Sequence, residues 1–432
     1  MLESAGLAIL AFLVLLSMGM PIGFTMLLVG FLGLYLTRGG QVAYATLGLA
    51  PYSAAANAML IVIPLFILSG QIAFASGISN DAYETAYRWL GKLKGGLAMA
   101  TVAACAAFAA TSGSSVATAA TVGKIAIPQM RRFGYSDVFA TGTVAAGGLL
   151  GIMIPPSITM VIYGIVTETS IGKLLISGVV PGILTALIFC LGIGVVAHFR
   201  PQMAPPGPSF SWKERFGSLY KGWGIIALFL VICGGIYTGI FTASEAAAAG
   251  AFFALLLAIV RRTSLRALYE SFGEGARTTA MIFMVLVGAA VFNQFITITG
   301  TATVISQFIG GLPLGKFGIL ALILFFYLPL GMFLDPISIM LVTLPITFAI
   351  VVKGLGFDAI WYGVIITKMM EIANITPPVG FNVYIIKGIA PEVPLYRIFQ
   401  GAGMFVALEL ITLVILVLFP EISIWLPSQV AR

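Results

Sequence analysis

Two Pro-Pro pairs interrupt apolar runs that would otherwise be continuous helices, and they restrict this chain more than any other feature. The first lies in Gly147-Gly148-Leu149-Leu150-Gly151-Ile152-Met153-Ile154-Pro155-Pro156-Ser157, the second in Glu371-Ile372-Ala373-Asn374-Ile375-Thr376-Pro377-Pro378-Val379-Gly380. Proline has no backbone N–H and its ring clashes with the preceding turn, so neither run stays one straight helix. Backbone freed inside a bilayer must find a polar partner, because lipid offers none. A pair of Gly/Pro-broken spans at matching places in two halves is the sequence pointer to a secondary-transporter binding site.

The rest of the chain supplies the bilayer context. Of 432 residues, 60% are hydrophobic and 9% charged. Mean hydropathy is +1.10. Many runs reach the ~20 apolar residues that span a membrane, which implies an all-α polytopic membrane protein in a lipid bilayer. The short alternating segments of a β-barrel are absent. Net charge of +7 is expected in basic cytoplasmic loops, with no nucleic acid as partner. Cys105, Cys190 and Cys233 sit in apolar runs without metal spacing and read as small hydrophobes. The lone His198, at a span end, leaves His-based metal sites and Ser–His catalysis without their parts. No GxxxxGK[ST] loop is present, so no nucleotide site is expected. Met1-Leu2-Glu3-Ser4-Ala5 lacks a basic leader and a small-residue cleavage pattern and is expected to open a retained first span.

Spans are expected near 6–20, 22–37, 58–76, 138–166 and 174–197, then after a Pro-rich connector at 198–222, near 223–241, 243–260, 277–299, 359–388 and 398–425. Residues 96–130 are cut at Thr111-Ser112-Gly113-Ser114-Ser115, and residues 317–352 at Asp335-Pro336. Each half, roughly 15–18 residues, is short for a crossing, and a re-entrant hairpin explains both. Arg88, Lys92 and Lys94 before the first hairpin, and Arg131 and Arg132 after it, place its base on the cytoplasmic side. Counting crossings from Arg131 puts the connector, with Arg200, Lys213, Arg215 and Lys221, on that side too, followed by Arg261, Arg262 and Arg266. Each half then has five spans, and both termini fall on the non-cytoplasmic side. Pro155 and Pro377 are separated by 377 − 155 = 222, an offset that also pairs Gly134 with Gly356 and brings Gly113 onto Asp335. The expected architecture is therefore two inverted-topology repeats, 1–197 with hairpin 96–130 and 223–432 with hairpin 317–352, joined by 198–222.

The tip Ser112-Gly113-Ser114-Ser115 offers hydroxyls and bare backbone, and the facing break offers free carbonyls from Gly147 to Ile154. Hard cations such as sodium prefer neutral oxygens, and half-helix C-termini favour positive charge. Close packing of small residues is the competing explanation. Asp335 at the second tip either ligates a cation or caps the helix beginning at Pro336, while Asn374 and Thr376 mark the second break. For a substrate carboxylate, the candidates are Ser157, Thr159 and Tyr163 after the first break, Asn382 and Tyr384 after the second, and Asn293 inside an apolar span. Helix N-termini after the prolines suit an anion. Lys368 and Glu371, three apart on one face, are expected to form a local ion pair, and Glu409 to face a neighbouring helix. Trp89, Trp212, Trp223, Trp361 and Trp425 fall near span ends and are expected at the interface.

At Ala110-Thr111-Ser112-Gly113-Ser114-Ser115-Val116-Ala117-Thr118-Ala119 and at the breaks Gly151 to Ser157 and Asn374 to Gly380, the chain resembles the large membrane subunit of tripartite ATP-independent periplasmic (TRAP) transporters. The resemblance covers essentially the whole length. It implies sodium-driven import of organic acids such as C4-dicarboxylates and sialic acids, by an elevator-type fold in a bacterial inner membrane. It also implies two partners, a small four-helix membrane subunit on a separate chain and a periplasmic solute-binding protein. Carried onto this chain, sodium as the only metal ion would be held by Ser112, Gly113, Ser114, Ser115, the carbonyls from Gly148 through Gly151 to Pro155, Asp335, Asn374, Thr376 and Gly380.

An intramembrane hydrolase and an ion channel are the alternatives. A hydrolase lacks a base beside Ser114, since His198 lies far along the chain, and Asp335 with Glu371 forms no recognisable acid pair. A channel draws its axis from oligomeric symmetry, whereas this chain repeats within itself. The substrate is not named by the sequence: no arginine falls in the expected core, which leaves dipoles, Asn, hydroxyls or ions to meet a carboxylate.

Overall fold

The computed structural model describes residues 2–430, and every regular element among them is helical. Met1 and 431–432 lie outside the described residues, and with them the expectation for the side on which the chain ends. Among the described residues, nine helical stretches are long and apolar enough to cross a membrane by length and composition, so the chain is a multi-pass membrane protein.

Local chemistry places the helix starts, and it does so twice. The Ser136 hydroxyl accepts from the Phe139 N–H at 3.3 Å and caps Asp137–Gly147. The Asp358 carboxylate accepts from the N–H groups of Ile360 and Trp361 at 2.8 and 2.9 Å and caps Ala359–Asn374. The two caps are 358 − 136 = 222 residues apart. Helices Gly96–Ser112 and Lys316–Phe333, Ser115–Arg132 and Pro336–Phe348, and Ile158–Thr167 and Phe381–Ile389 start within two residues of that same offset. Gly134 and Gly356, each just past a hairpin, both have positive φ, 79° and 74°. Both Pro-Pro bonds are cis.

Contacts at the two ends of the broken helices give their direction. Arg131 reaches Asp137 at 2.6 Å and also pairs with Glu392, so the start of the first broken helix lies beside the end of the second. The Tyr163 hydroxyl donates to the Ala359 carbonyl at 2.6 Å, so the end of the first lies beside the start of the second. The broken helices therefore run antiparallel. The hairpin bases follow them: the first ends at Arg132, whereas Lys316 at the base of the second sits 5.0 Å from the Phe357 ring, next to Asp358.

Two groups of helices pack around the site. Ile22–Arg38, Val62–Ala75, Ala243–Val260 and Leu265–Ile298 contact one another. The first hairpin and the broken helices pack with Val179–Phe199 and Leu395–Leu418, while the second hairpin packs on Ala359–Asn374, Ile158–Thr167 and Leu265–Ile298. Lipid supplies no hydrophobic drive between helices, so close backbone approach does this work. A Cβ on Gly142 would meet the Gly401 carbonyl carbon at 2.3 Å, which holds Asp137–Gly147 against Leu395–Leu418.

The same second group contains a fully buried ionic triad. Lys368 pairs with Glu371 one turn on and reaches Glu409 of Leu395–Leu418 at 2.9 Å and the Thr185 hydroxyl of Val179–Phe199 at 2.8 Å. All three charged side chains have 0% exposure. The expected two-residue pair is thus a three-helix link, because Glu409 points inward to the Lys368 ammonium.

Several expectations are corrected. Gly40–Ala55 and the polar-faced Ile78–Leu90 are helices that apolar runs alone did not reveal. The connector is helical from Trp212, eleven residues before the expected span at 223, because Ser211 and Glu214 form a reciprocal capping box. Leu265–Ile298 starts well before 277, and the expected last span divides into Leu395–Leu418 and Glu421–Ser428 at Pro420. The second hairpin is not short: Lys316–Phe333 has 18 residues and Pro336–Gly354 has 19, so arm length alone does not separate re-entry from crossing. Trp361 is no interfacial anchor. It is 1% exposed, and its indole N–H donates to the Leu416 carbonyl at 2.8 Å.

Candidate functional site

The first hairpin turns at Gly113, whose φ of +63° ends Gly96–Ser112, and the Ser114 hydroxyl restarts the chain as N-cap by accepting from the Ala117 N–H at 3.3 Å. This tip is pressed against the first break. The Ile158 N–H donates to the Gly113 carbonyl at 3.4 Å. A Cβ on Gly113 would meet the Pro156 carbonyl oxygen at 2.7 Å, and one on Gly151 would meet the Ser114 carbonyl oxygen at 2.4 Å and Thr118 Oγ1 at 2.6 Å. Thr118 knits the tip internally: its hydroxyl lies 2.9 Å from Ser112 Oγ and donates to the Ser114 carbonyl at 2.8 Å. Side-chain and main-chain oxygens of both segments are therefore crowded into one place, where they offer neutral oxygen donors.

The second tip is built differently. Asp335 caps Pro336–Phe348, accepting from the N–H groups of Ile337 and Ser338 at 3.1 and 3.2 Å and from the Ser338 hydroxyl. Of the two roles open to Asp335, the cap is the one with visible bonds; its carboxylate also lines a cavity. Gly331 meets the second break, since a Cβ there would lie 2.2 Å from the Ala373 Cβ. Asn374, at the last position of Ala359–Asn374, is 1% exposed, and neither its amide nitrogen nor its amide oxygen has a hydrogen-bond partner in the protein. An unpaired buried amide costs roughly 1–3 kcal/mol. Such an orphan, at a helix C-terminus, suits a bound polar species.

One cavity of about 610 Å³ joins the two tips. Its wall includes Ser112 to Ser115, Asp335 to Ile337, Asn374 and Thr159. The helix Ser115–Arg132 runs from the tip toward Arg131, and its residues Ala117, Thr121 and Lys124 continue the wall. From Leu265–Ile298 come Glu274 and Thr278. The cavity thus extends from the tips toward the end that carries Arg131 and Arg132.

The other expected residues are placed as follows. Ser157 is fully buried, caps Ile158–Thr167 by accepting from the Met160 N–H at 3.2 Å, and donates to the Ile152 carbonyl. Gly148 packs on Ala119, and Pro155 lies in the break just before Ile158–Thr167. Thr376 donates to the Ile372 carbonyl at 2.6 Å, and Gly380, at φ +61°, opens Phe381–Ile389. Asn382 donates to the Ala145 carbonyl at 3.1 Å, tying the second break to the first, and its amide oxygen is unpaired. Tyr163 and Asn293 do not line the cavity. Tyr163 is bound to Ala359, and Asn293 donates to the Leu341 carbonyl at 3.0 Å, so both join helices; Ser157 and Asn382 likewise lie off the cavity wall, and Thr159 lies on it. Lys124, Thr121, Glu274 and Thr278 were not anticipated. The signal for Lys124 was its place on the hairpin arm, two and a half turns past Ser115.

Residues 9–422 match the family described as "Tripartite ATP-independent periplasmic transporter, DctM component". The C4-dicarboxylate TRAP transporter large permease protein DctM of Pseudomonas aeruginosa is 38% identical over 372 residues, 85% of this chain and 86% of that protein. The ectoine TRAP transporter large permease protein TeaC of Halomonas elongata is 32% identical and covers 97% of both chains. The sialic acid TRAP transporter large permease protein SiaM of Vibrio cholerae is 29% identical and covers 98% of both. In solved structures, the YdaH transporter of Alcanivorax borkumensis, whose crystal structure "reveals an unusual topology", superposes with a TM-score of 0.63 at 14% identity over 89% of each chain, a likeness of fold.

Proposed function

The chain belongs to the DctM large-permease family of tripartite ATP-independent periplasmic transporters, and on that premise we propose that it couples sodium entry to the import of an organic acid. The observation that carries this reading is the meeting of two hairpin tips and the unpaired Asn374 amide at one cavity. Sodium in the first site would be held by oxygens of Ser112 to Ser115 and of the Gly148 to Pro155 break. In the second it would be held near Asp335, Asn374 and Thr376.

Bound sodium draws each tip onto its break and completes the wall against which the substrate rests. Coupling requires that sodium and substrate bind the outward and inward states with different affinity. The hairpins and broken helices, with Val179–Phe199 and Leu395–Leu418 packed on the first hairpin and the broken helices, are the moving elevator; the group around Leu265–Ile298 is the scaffold. The antiparallel broken helices and the recurring offset support two inverted repeats. With the Arg131 end cytoplasmic, this conformation opens inward and the membrane is the bacterial inner membrane. A periplasmic solute-binding protein would deliver the substrate on the opposite side, and a small four-helix membrane subunit would brace the scaffold. Relatives named for C4-dicarboxylate, sialic acid and ectoine all handle molecules that bear a carboxylate.

Proteoliposomes test the proposal. With both membrane subunits and the cognate binding protein, an inward sodium gradient should drive uptake of a labelled organic acid above its external concentration. Equal uptake when choline replaces sodium would refute the coupling.

A further inference from the structure

We propose that Lys124 is the anchor for the substrate carboxylate, an inference that rests on the organic-acid reading above. Three ionisable side chains line the cavity between the hairpin tips: Lys124, Glu274 and Asp335. Two of them are already matched. Arg277 holds the Glu274 carboxylate at 2.6 Å, and Asp335 accepts from two backbone N–H groups and the Ser338 hydroxyl. Lys124 makes no ion pair or side-chain hydrogen bond among the described residues, and it is exposed to the cavity. An ammonium left open in a largely apolar chamber is a site for an anion, and its charge steers anions in from the mouth.

Position adds a second argument. Ser114, Ala117, Thr121 and Lys124 all line the cavity and recur at three- and four-residue intervals, so they form one face of the hairpin arm. Small residues keep that face clear between the tip and the ammonium. Lys124 lies nine residues beyond Ser115, about 13 Å along the helix at 1.5 Å per residue. A molecule of C4-dicarboxylate to sialic-acid size fits between the sodium-binding tip and this charge. One acid group meets Lys124, and the remainder meets Thr121, Thr278 and Thr159. A lysine presents a compact point charge and makes no bidentate demand, which suits carboxylates carried on different skeletons.

The test uses the full chain in lipid nanodiscs, with thermal unfolding titrated by sodium alone and then, at saturating sodium, by succinate, N-acetylneuraminate or ectoine. Lys124→Gln should raise the half-saturating concentration of the acid that stabilises the native protein about tenfold, the scale of one charge-assisted hydrogen bond. Lys124→Arg should raise it no more than about threefold. The sodium midpoint without organic ligand should not move in either variant. If succinate is the ligand, the native protein should prefer it to its mono-amide, succinamate, and Lys124→Gln should lose that preference. An unchanged acid affinity in Lys124→Gln overturns the anchor while leaving organic-acid transport standing. An equal loss for acid and amide, or a shifted sodium midpoint, assigns Lys124 to structure and overturns it too. If neither these three molecules nor a wider panel of small organic acids stabilises the native protein, the organic-acid reading fails and the anchor fails with it.

Discussion

Gly151→Ala probes the contact on which the first ion site depends. The added Cβ would lie 2.4 Å from the Ser114 carbonyl oxygen, 2.6 Å from Thr118 Oγ1 and 2.7 Å from the Ser114 carbonyl carbon. Two of these three atoms are backbone, so no side-chain rotation relieves the clash. Restoring ordinary contact at 3.4 Å requires a movement of 3.4 − 2.4 = 1.0 Å between the hairpin tip and the break. Overpacking of this kind costs about 1–3 kcal/mol. If sodium must draw tip and break together, that cost appears in its affinity, and at about 1.4 kcal/mol per decade sodium binding should weaken about 5- to 150-fold. The assay is thermal unfolding of the purified protein across a sodium titration. Gly217→Ala serves as control, because nothing lies within 4 Å of its Cβ, and replacing an exposed helical glycine should stabilise by about 0.5–1 kcal/mol. A Gly151→Ala protein with the native sodium midpoint would refute the reasoning, since tip and break could then separate without consequence for the ion.

Three further outcomes are expected. Asp335→Ala should destabilise by about 1–2 kcal/mol through loss of the helix cap, whereas Asp335→Asn should retain most of the stability and lose sodium affinity, as read by the same titration. Lys368→Met should cost about 3–5 kcal/mol because two buried carboxylates lose their counter-charge, and adding Glu371→Gln and Glu409→Gln should restore most of it in thermal unfolding. The Glu392 carboxyl, in the loop after Phe381–Ile389, is held below its usual 4.5 by a hydrogen bond to its own backbone and by Arg131. A depressed carboxyl contributes stability above its unfolded value and loses it as pH falls through the folded one. Unfolding followed from pH 6 to pH 3 should therefore show an acid-side loss that Glu392→Gln reduces.

The features legible in the sequence were those written into the backbone. Pro155-Pro156 and Pro377-Pro378 forbid straight helices, and Gly134 and Gly356 mark positive φ at one offset, so the broken helices and the repeated order could be read directly. Asp335 announced a helix start for a similar local reason, as one of its two possible roles, whereas the cap made by Ser114 was not read. What depends on the facing of helices was not legible. Lys124 is an unremarkable lysine until the arm that carries it turns one face to the cavity. Glu409 is 38 residues from Glu371, and only the packing of Leu395–Leu418 brings it to Lys368. Trp361 resembled an interfacial residue by position, yet the neighbouring helix covers it and accepts its N–H. Tyr163 and Asn293 had suitable chemistry but spend it on carbonyls of other helices. Gly40–Ala55 and Ile78–Leu90 were missed because neither is a long unbroken apolar run: the first holds Pro51, and the second is polar along one side.

Equilibrium binding of radioactive sodium to the purified protein tests the central idea most directly, since it needs neither substrate nor partner. The account predicts saturable binding that potassium does not displace and that weakens in Gly151→Ala, where the first tip is forced from its break. Absence of saturable binding to the folded native protein, or binding that Gly151→Ala and Asn374→Ala both leave intact, would contradict it.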